Sequence, residues 1–148
     1  MPDALRDADT GLLNEAYLRA ALPNRVATAR RALRPLSLGL IAINPDVATQ
    51  LTYALLDTLR ESDTACRMDD GGFAVLLEDT ADTGAAWTIE RVRRLMTEQG
   101  ILHPMWAGVS SYPAHALEAD DLMRLAVVAL HDAQLWESSR IEIALPVS

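Results

Sequence analysis

Residues Arg60 to Leu77 read RESDTACRMDDGGFAVLL, and this stretch decides the fold. TACRM and FAVLL are short apolar-leaning runs, and DDGG between them is a hairpin signal. Asp-Gly supplies the positive φ angles of a two-residue hairpin turn, so the stretch predicts a helix end, a strand, a tight turn and a second strand. A rigid pair of strands holds such a tip in place, which makes it a candidate functional position.

Working outward, RDADTGLLNEAYLRAAL predicts a turn and then a helix, with Asn14 as N-cap and Tyr17, Leu18, Ala21 and Leu22 as its apolar stripe. Arg25 to Arg34 continues as an arginine-rich, solvated helical segment ended by Pro35. Leu36 to Ile43, LSLGLIAI, is a near-continuous apolar strand, as expected where both faces are covered. Asn44-Pro45-Asp46 opens the next helix, whose face carries Val47, Leu51, Leu55 and Leu59. Beyond the hairpin, DTADTGAAWTIERVRRLMTEQG is a helix with Ala85, Ile89, Val92 and Met96 buried. ILHPMWAGVSSYP is a strand, EADDLMRLAVVALHDAQLW a helix and RIEIAL a last strand. Five strands and four helices predict one α+β domain over residues 1–148, a mostly antiparallel five-stranded sheet with helices packed on it.

The chain has 148 residues, half of them hydrophobic, enough for one sizeable core. Its net charge of −8 repels nucleic acid and anionic membranes, so neither is an expected partner. Every cationic side chain other than histidine is arginine, a planar fork suited to carboxylate, phosphate or guanine edges. Cys66 is the only cysteine, which excludes a disulfide framework and a zinc site, and its neighbours make it a buried thiol. His103, His115 and His131 lack metal-ligand spacing. The N-terminus is acidic and lacks an apolar signal-peptide core, and the longest apolar run is too short to span a bilayer. The expectation is a cytoplasmic protein, standing alone or as a piece of a longer one.

Several motifs, in order, resemble the GGDEF domain of diguanylate cyclases. Arg60-Glu61-Ser62-Asp63 matches the family's RxxD, and five residues later Asp69-Asp70-Gly71-Gly72-Phe73 occupies the Gly-Gly-(Asp/Glu)-Glu-Phe slot. Asp7, Thr10, Gly11, Leu12 and Asn14 resemble the family's entry motif, although Asp9 and Glu15 depart from it. Gly108, Tyr112 and Pro113 resemble the SxGxAxYP strand, and Leu122, Ala126, Ala129, Leu130 and Ala133 the late helix. The resemblance implies a nucleotide-cyclase palm, a ferredoxin-like core.

It also implies which parts of a cyclase to seek. Joining two GTP molecules requires two metal ions held by carboxylates. The residue aligned with the family's strand-end Asp is Ala42, and those aligned with the two hairpin acids are Gly71 and Gly72. Asp69 and Asp70 replace the glycines that let phosphate approach. Only 17 residues separate Ala42 from Arg60, which implies that the guanine-binding segment is deleted. Gln134 stands for the phosphate-holding Lys, and Glu137-Ser138-Ser139 follow in place of Gly-Arg-Asn. The expectation is no catalytic residue, no metal, no cofactor and no cyclase activity.

RxxD in this family is an inhibitory site for cyclic di-GMP. The resemblance therefore implies a cyclic di-GMP site built from Arg60, Asp63 and Arg91, with Arg67 and Trp87 as accessories. Arg forks donate to guanine or phosphate, Asp accepts from guanine N–H groups, and Trp87 offers a stacking face. The same residues also suit an exposed i, i+3 ion pair on a solvated helix face. Two functions stay open: a regulatory module that senses cyclic di-GMP, or a nucleotide-independent module that dimerises or docks on a protein partner.

Overall fold

The structure, a computed structural model, describes residues 4–146; residues 1–3 and 147–148, the ends of the expected domain, lie outside the described residues. Among the described residues there are six strands and four α-helices. They are β1 (Leu13–Asn14), α1 (Glu15–Ala32), β2 (Leu36–Ile43), α2 (Ala48–Thr58), β3 (Thr64–Arg67), β4 (Phe73–Glu78), α3 (Asp82–Glu98), β5 (Met105–Tyr112), α4 (Ala119–Ala133) and β6 (Arg140–Ile143). They form one mixed sheet in the order β1-β3-β4-β2-β5-β6. The central ladders β3–β4, β4–β2 and β2–β5 are antiparallel, whereas β1–β3 and β5–β6 at the two edges are parallel.

The sheet thus has six strands rather than five. The additional one is β1, too short to show periodicity. Leu13 pairs with Cys66 and Asn14 with Arg67. Asn14 is at once a strand residue and the cap of α1, its Oδ1 accepting from the Tyr17 amide at 3.1 Å.

Each face of the sheet carries two helices, so β2 is apolar on both sides. Leu36, Leu38 and Leu40 face α1 and α4, meeting Leu18, Leu22, Val26 and Leu122. Ile41 faces α2 and α3, together with Phe73, Val75, Leu51, Leu55, Ile89 and Val92. The segment Arg25 to Arg34 is less solvated than its composition implies. Val26 and Ala29 are buried, and Arg25 reaches Glu78 at 2.9 Å and the Tyr17 hydroxyl at 3.0 Å. Asn44 caps a short 3-10 turn, Pro45–Val47, which leads into α2. Among the described residues no helix is long and apolar enough to cross a membrane.

Candidate functional site

The β3–β4 hairpin holds the first group of candidate residues. Its loop is Asp69-Asp70-Gly71, three residues where the sequence predicts two. The Met68 amide donates to the Gly72 carbonyl at 2.8 Å, and the Gly71 amide to the Met68 carbonyl at 3.0 Å. Only Gly71 in this loop sits at positive φ, +91°. One left-handed residue closes a type I turn followed by a bulge, whereas a two-residue type I′ turn needs two.

The tip is saturated from within. The Asp69 amide donates to Glu15 Oε1 at 3.1 Å, and the Gly72 amide to Asp70 Oδ1 at 2.8 Å. The Asp69 amide, then Arg19, holds the Glu15 carboxyl below its ordinary pKa. Arg67 braces the base of the loop. Its Nε donates to the Gly71 carbonyl at 2.9 Å, and its guanidinium lies 4.9 Å from the Phe73 ring centroid and 3.9 Å from an Asp7 oxygen. Arg67 is thereby tied into the hairpin, so its charge is not free for the accessory role expected of it.

Beside the hairpin a cleft of about 500 Å³ opens between the end of β2 and α4. Ala42, Ile43, Met68, Met123 and Leu130 give it apolar walls, and Asp69 and Asp70 stand on its lip. Among the described residues no group of three His, Cys, Asp or Glu side chains is placed to hold a metal ion. With Ala42 at the strand end and glycine at 71 and 72, the residues present do not fit the metal pair that the resemblance implies.

The second group lies just after α2, where Arg60 lines a pocket with Thr28, Ala29 and Ala32 of α1 and with Glu78 and Asp79 at the end of β4. The Arg60 guanidinium grips Asp63 with both arms, Nε to Oδ2 at 3.2 Å and Nη2 to Oδ1 at 3.1 Å, and the Arg60 amide donates to Oδ2 at 3.0 Å. Nη2 also donates to the Glu78 carbonyl at 2.6 Å and to the Thr80 hydroxyl at 2.9 Å. The Asp63 side chain is only 3% exposed beneath Arg60, which is 56% exposed. The hydrogen bond to Asp63 raises the Arg60 pKa further above its ordinary value. Glu78 and Thr80 were invisible as partners in the sequence, because they come from the far end of the hairpin.

Arg91 and Trp87 project from α3, which packs beside α2. Among the described residues Arg91 makes no hydrogen bond or ion pair, whereas its neighbours Arg93 and Arg94 both engage Glu90. Trp87 is 63% exposed and lies under Arg94, at 6.0 Å, rather than pairing with Arg91. His115 is buried apart from both sites. The Ser111 amide donates to its Nδ1 at 2.9 Å, and its Nε2 lies 3.3 Å from Asp82, which ties the end of β5 to the start of α3.

This layered α+β palm, with RxxD leading into a β-hairpin, defines a nucleotide-cyclase type of domain. The family model for "Diguanylate cyclase, GGDEF domain" matches residues 46–139, and the chain belongs to the GGDEF family. No curated protein matches it. The GGDEF domain of TpbB (YfiN) from Pseudomonas aeruginosa is similar in structure, with a TM-score of 0.84, 21% identity and 94% of each chain covered. The GGDEF domain of DgcB from Caulobacter crescentus, solved in complex with c-di-GMP, has a TM-score of 0.84, 17% identity and 97% of each chain covered. The active GGEEF domain of a diguanylate cyclase from Vibrio cholerae has a TM-score of 0.81 and 23% identity, over 92% of this chain and 99% of that one. At such identities the likeness is one of fold.

Proposed function

We propose that this GGDEF-family domain is a receptor for cyclic di-GMP rather than a cyclase, and that Arg60, Asp63 and Arg91 form its site. Two arginines carry the receptor reading, Arg60 just after α2 and Arg91 on α3. Arg60 is fixed in place by Asp63 yet presents an exposed guanidinium, and Arg91 has its full fork unengaged. A cyclic dinucleotide carries two phosphodiester charges and two base faces, which suit two guanidinium groups and the exposed indole of Trp87. DgcB, a domain of the same fold, was solved with this ligand.

The loss of cyclase activity is supported by Ala42 at the strand end and by a hairpin whose Asp69 and Gly72 amides already donate to carboxylates. Isothermal titration with cyclic di-GMP and, in parallel, with GTP and magnesium tests both halves. Saturable binding of cyclic di-GMP that disappears in Arg91→Ala, with no dinucleotide formed from GTP, is the expected result. Turnover of GTP, or no heat with cyclic di-GMP, rejects the corresponding half.

One observation favours the alternative, a protein-docking or dimerisation module. Tyr53 and Leu56 on the outer face of α2 are 68% and 60% exposed. Arg60→Ala separates the readings, since it removes nucleotide binding under the first and leaves assembly unchanged under the second.

A further inference from the structure

The two edges of the sheet differ. At one edge β1 is covered, because Arg6 bridges Leu13 in the antiparallel sense. At the other, β5 is the sole neighbour of β6 among the described residues. The Ala144 amide donates to the Val109 carbonyl at 2.7 Å. Backbone groups alternate sides along a strand, so Glu142 and Ala144 bond toward β5 while the N–H and C=O of Ile141 and Ile143 point outward. Among the described residues no backbone hydrogen bond reaches those outer groups.

Open edges are commonly blunted by lysine, proline or a bulge. On β6 the charges are instead one of each sign, Arg140 and Glu142, two residues apart on the same face. Arg140 Nε donates to Glu142 Oε1 at 2.8 Å, and its guanidinium lies 4.3 Å from the Trp136 ring centroid. Both Nη nitrogens of Arg140 and Oε2 of Glu142 are left for another partner.

We infer that two copies of this chain pair through β6, antiparallel about a twofold axis at Ile141. The charges select this register. A twofold axis at Glu142 sets two carboxylates opposite each other, which repel. An axis at Ile143 sets Arg140 opposite Pro146 and Glu142 opposite Ala144, so no charge is engaged. An axis at Ile141 sets Arg140 of each copy opposite Glu142 of the other, in the non-hydrogen-bonded positions where side chains stand closest, while the outer N–H and C=O of Ile141 bond to those of the second Ile141. The edge is thus complementary to itself, as a twofold interface requires. The antiparallel run also carries Leu145, 81% exposed, toward Trp136 of the second copy, 50% exposed. Pairing engages neither the RxxD residues nor the hairpin tip, so it stands apart from nucleotide binding.

The test is sedimentation equilibrium of the whole chain without nucleotide. Wild type is expected to dimerise. Arg140→Glu and Glu142→Arg are each expected to weaken the dimer at least about tenfold, because both cross-strand pairs become repulsive. An equimolar mixture of the two variants is expected to recover wild-type association, since an acidic strand then faces a basic one. Wild type that stays monomeric up to about 1 mM, a dimer unmoved by either substitution, or a mixture no tighter than the separate variants overturns the inference.

Discussion

Gly108→Ala is the substitution whose cost follows most directly from the structure. Gly108 lies on β5 directly under α4. A Cβ at this position would stand 2.2 Å from the Leu130 amide nitrogen, 2.5 Å from the Ala126 carbonyl oxygen and 2.8 Å from the Ala129 carbonyl carbon. Non-bonded heavy atoms settle at about 3.5–4.0 Å, so the helix must retreat by about 1 Å. All three obstructing atoms are backbone, and no rotamer change relieves them. That retreat loosens Leu122, Ala126 and Ala133, each wholly buried against the sheet. Overpacking typically costs about 1–3 kcal/mol, and a backbone obstruction belongs at the upper end, near 3 kcal/mol. The gain from removing a flexible residue from the unfolded chain, about 0.4–1 kcal/mol, offsets only part of this. At about 2–4 °C per kcal/mol for a chain of this size, Tm falls by roughly 5–10 °C. Thermal unfolding followed by circular dichroism measures it, beside Gly84→Ala as a control. At Gly84 the nearest atom to a new Cβ is the end of the Thr80 side chain, at 3.2 Å, and alanine favours the helix. A Gly108→Ala protein melting within about 2 °C of wild type, or a Gly84→Ala protein falling as far as it, refutes the direct contact between β5 and α4.

Two further outcomes concern ionisable groups. The Glu15 carboxyl is held below its ordinary pKa by the Asp69 amide and Arg19, so its contribution to stability is present above the unfolded value of 4.5 and is lost as pH falls through the folded one. Denaturant melts at falling pH are expected to show a shallower acid loss in Glu15→Gln than in wild type, and equal slopes would detach Glu15 from the hairpin. Burial pushes the Cys66 thiol up to about 11, against a smaller opposing effect of Arg25. Its contribution is therefore complete below the unfolded value of 9.0 and lost as pH rises toward 11. Iodoacetamide labelling near pH 8, followed by mass spectrometry, is expected to modify Cys66 only after denaturant is added, and rapid labelling of the native chain would contradict its burial.

What the sequence disclosed depended on how local each feature is. Ala85, Ile89, Val92 and Met96 repeat at helical spacing, and all four are buried. Asn14 sits three residues from the amide it caps, and Arg60 three from the carboxylate it grips. Those contacts are written in spacing. The pairing of β1 with β3 joins residues 53 positions apart through a strand of two, and no periodicity exists in two residues. Arg25 read as solvated because its partners, Glu78 and Thr64, belong to a different part of the chain. The same limit governed the candidate site. Spacing disclosed the Arg60–Asp63 pair, but not the Glu78 carbonyl or the Thr80 hydroxyl, and these determine how many donors Arg60 has left. Arg67 and Arg91 look alike in sequence, and only tertiary structure separates the one committed to Gly71 from the one left unengaged.

The hairpin shows why the family's fold persists here independently of a phosphate cradle. A loop that holds phosphate must keep its amides free of internal acceptors. In this loop the Asp69 amide donates to Glu15, the Gly71 amide to the Met68 carbonyl and the Gly72 amide to Asp70. Two of the three acceptors are carboxylates, standing where an anion would otherwise go. Each hydrogen bond to a charged acceptor contributes about 1.5–3 kcal/mol, so the tip is ordered without a ligand. Reopening it takes loss of the carboxylates at both 15 and 70, because either one left behind repels a phosphate and keeps its amide. Even then the charge at the strand end is missing, since residue 42 is alanine. Among the described residues Arg91 on α3 and Arg31 on α1 are arginines without a carboxylate partner. The strands that carry the tip are held independently of it, since they pack Phe73, Val75 and Leu77 into the core between the sheet and helices α2 and α3.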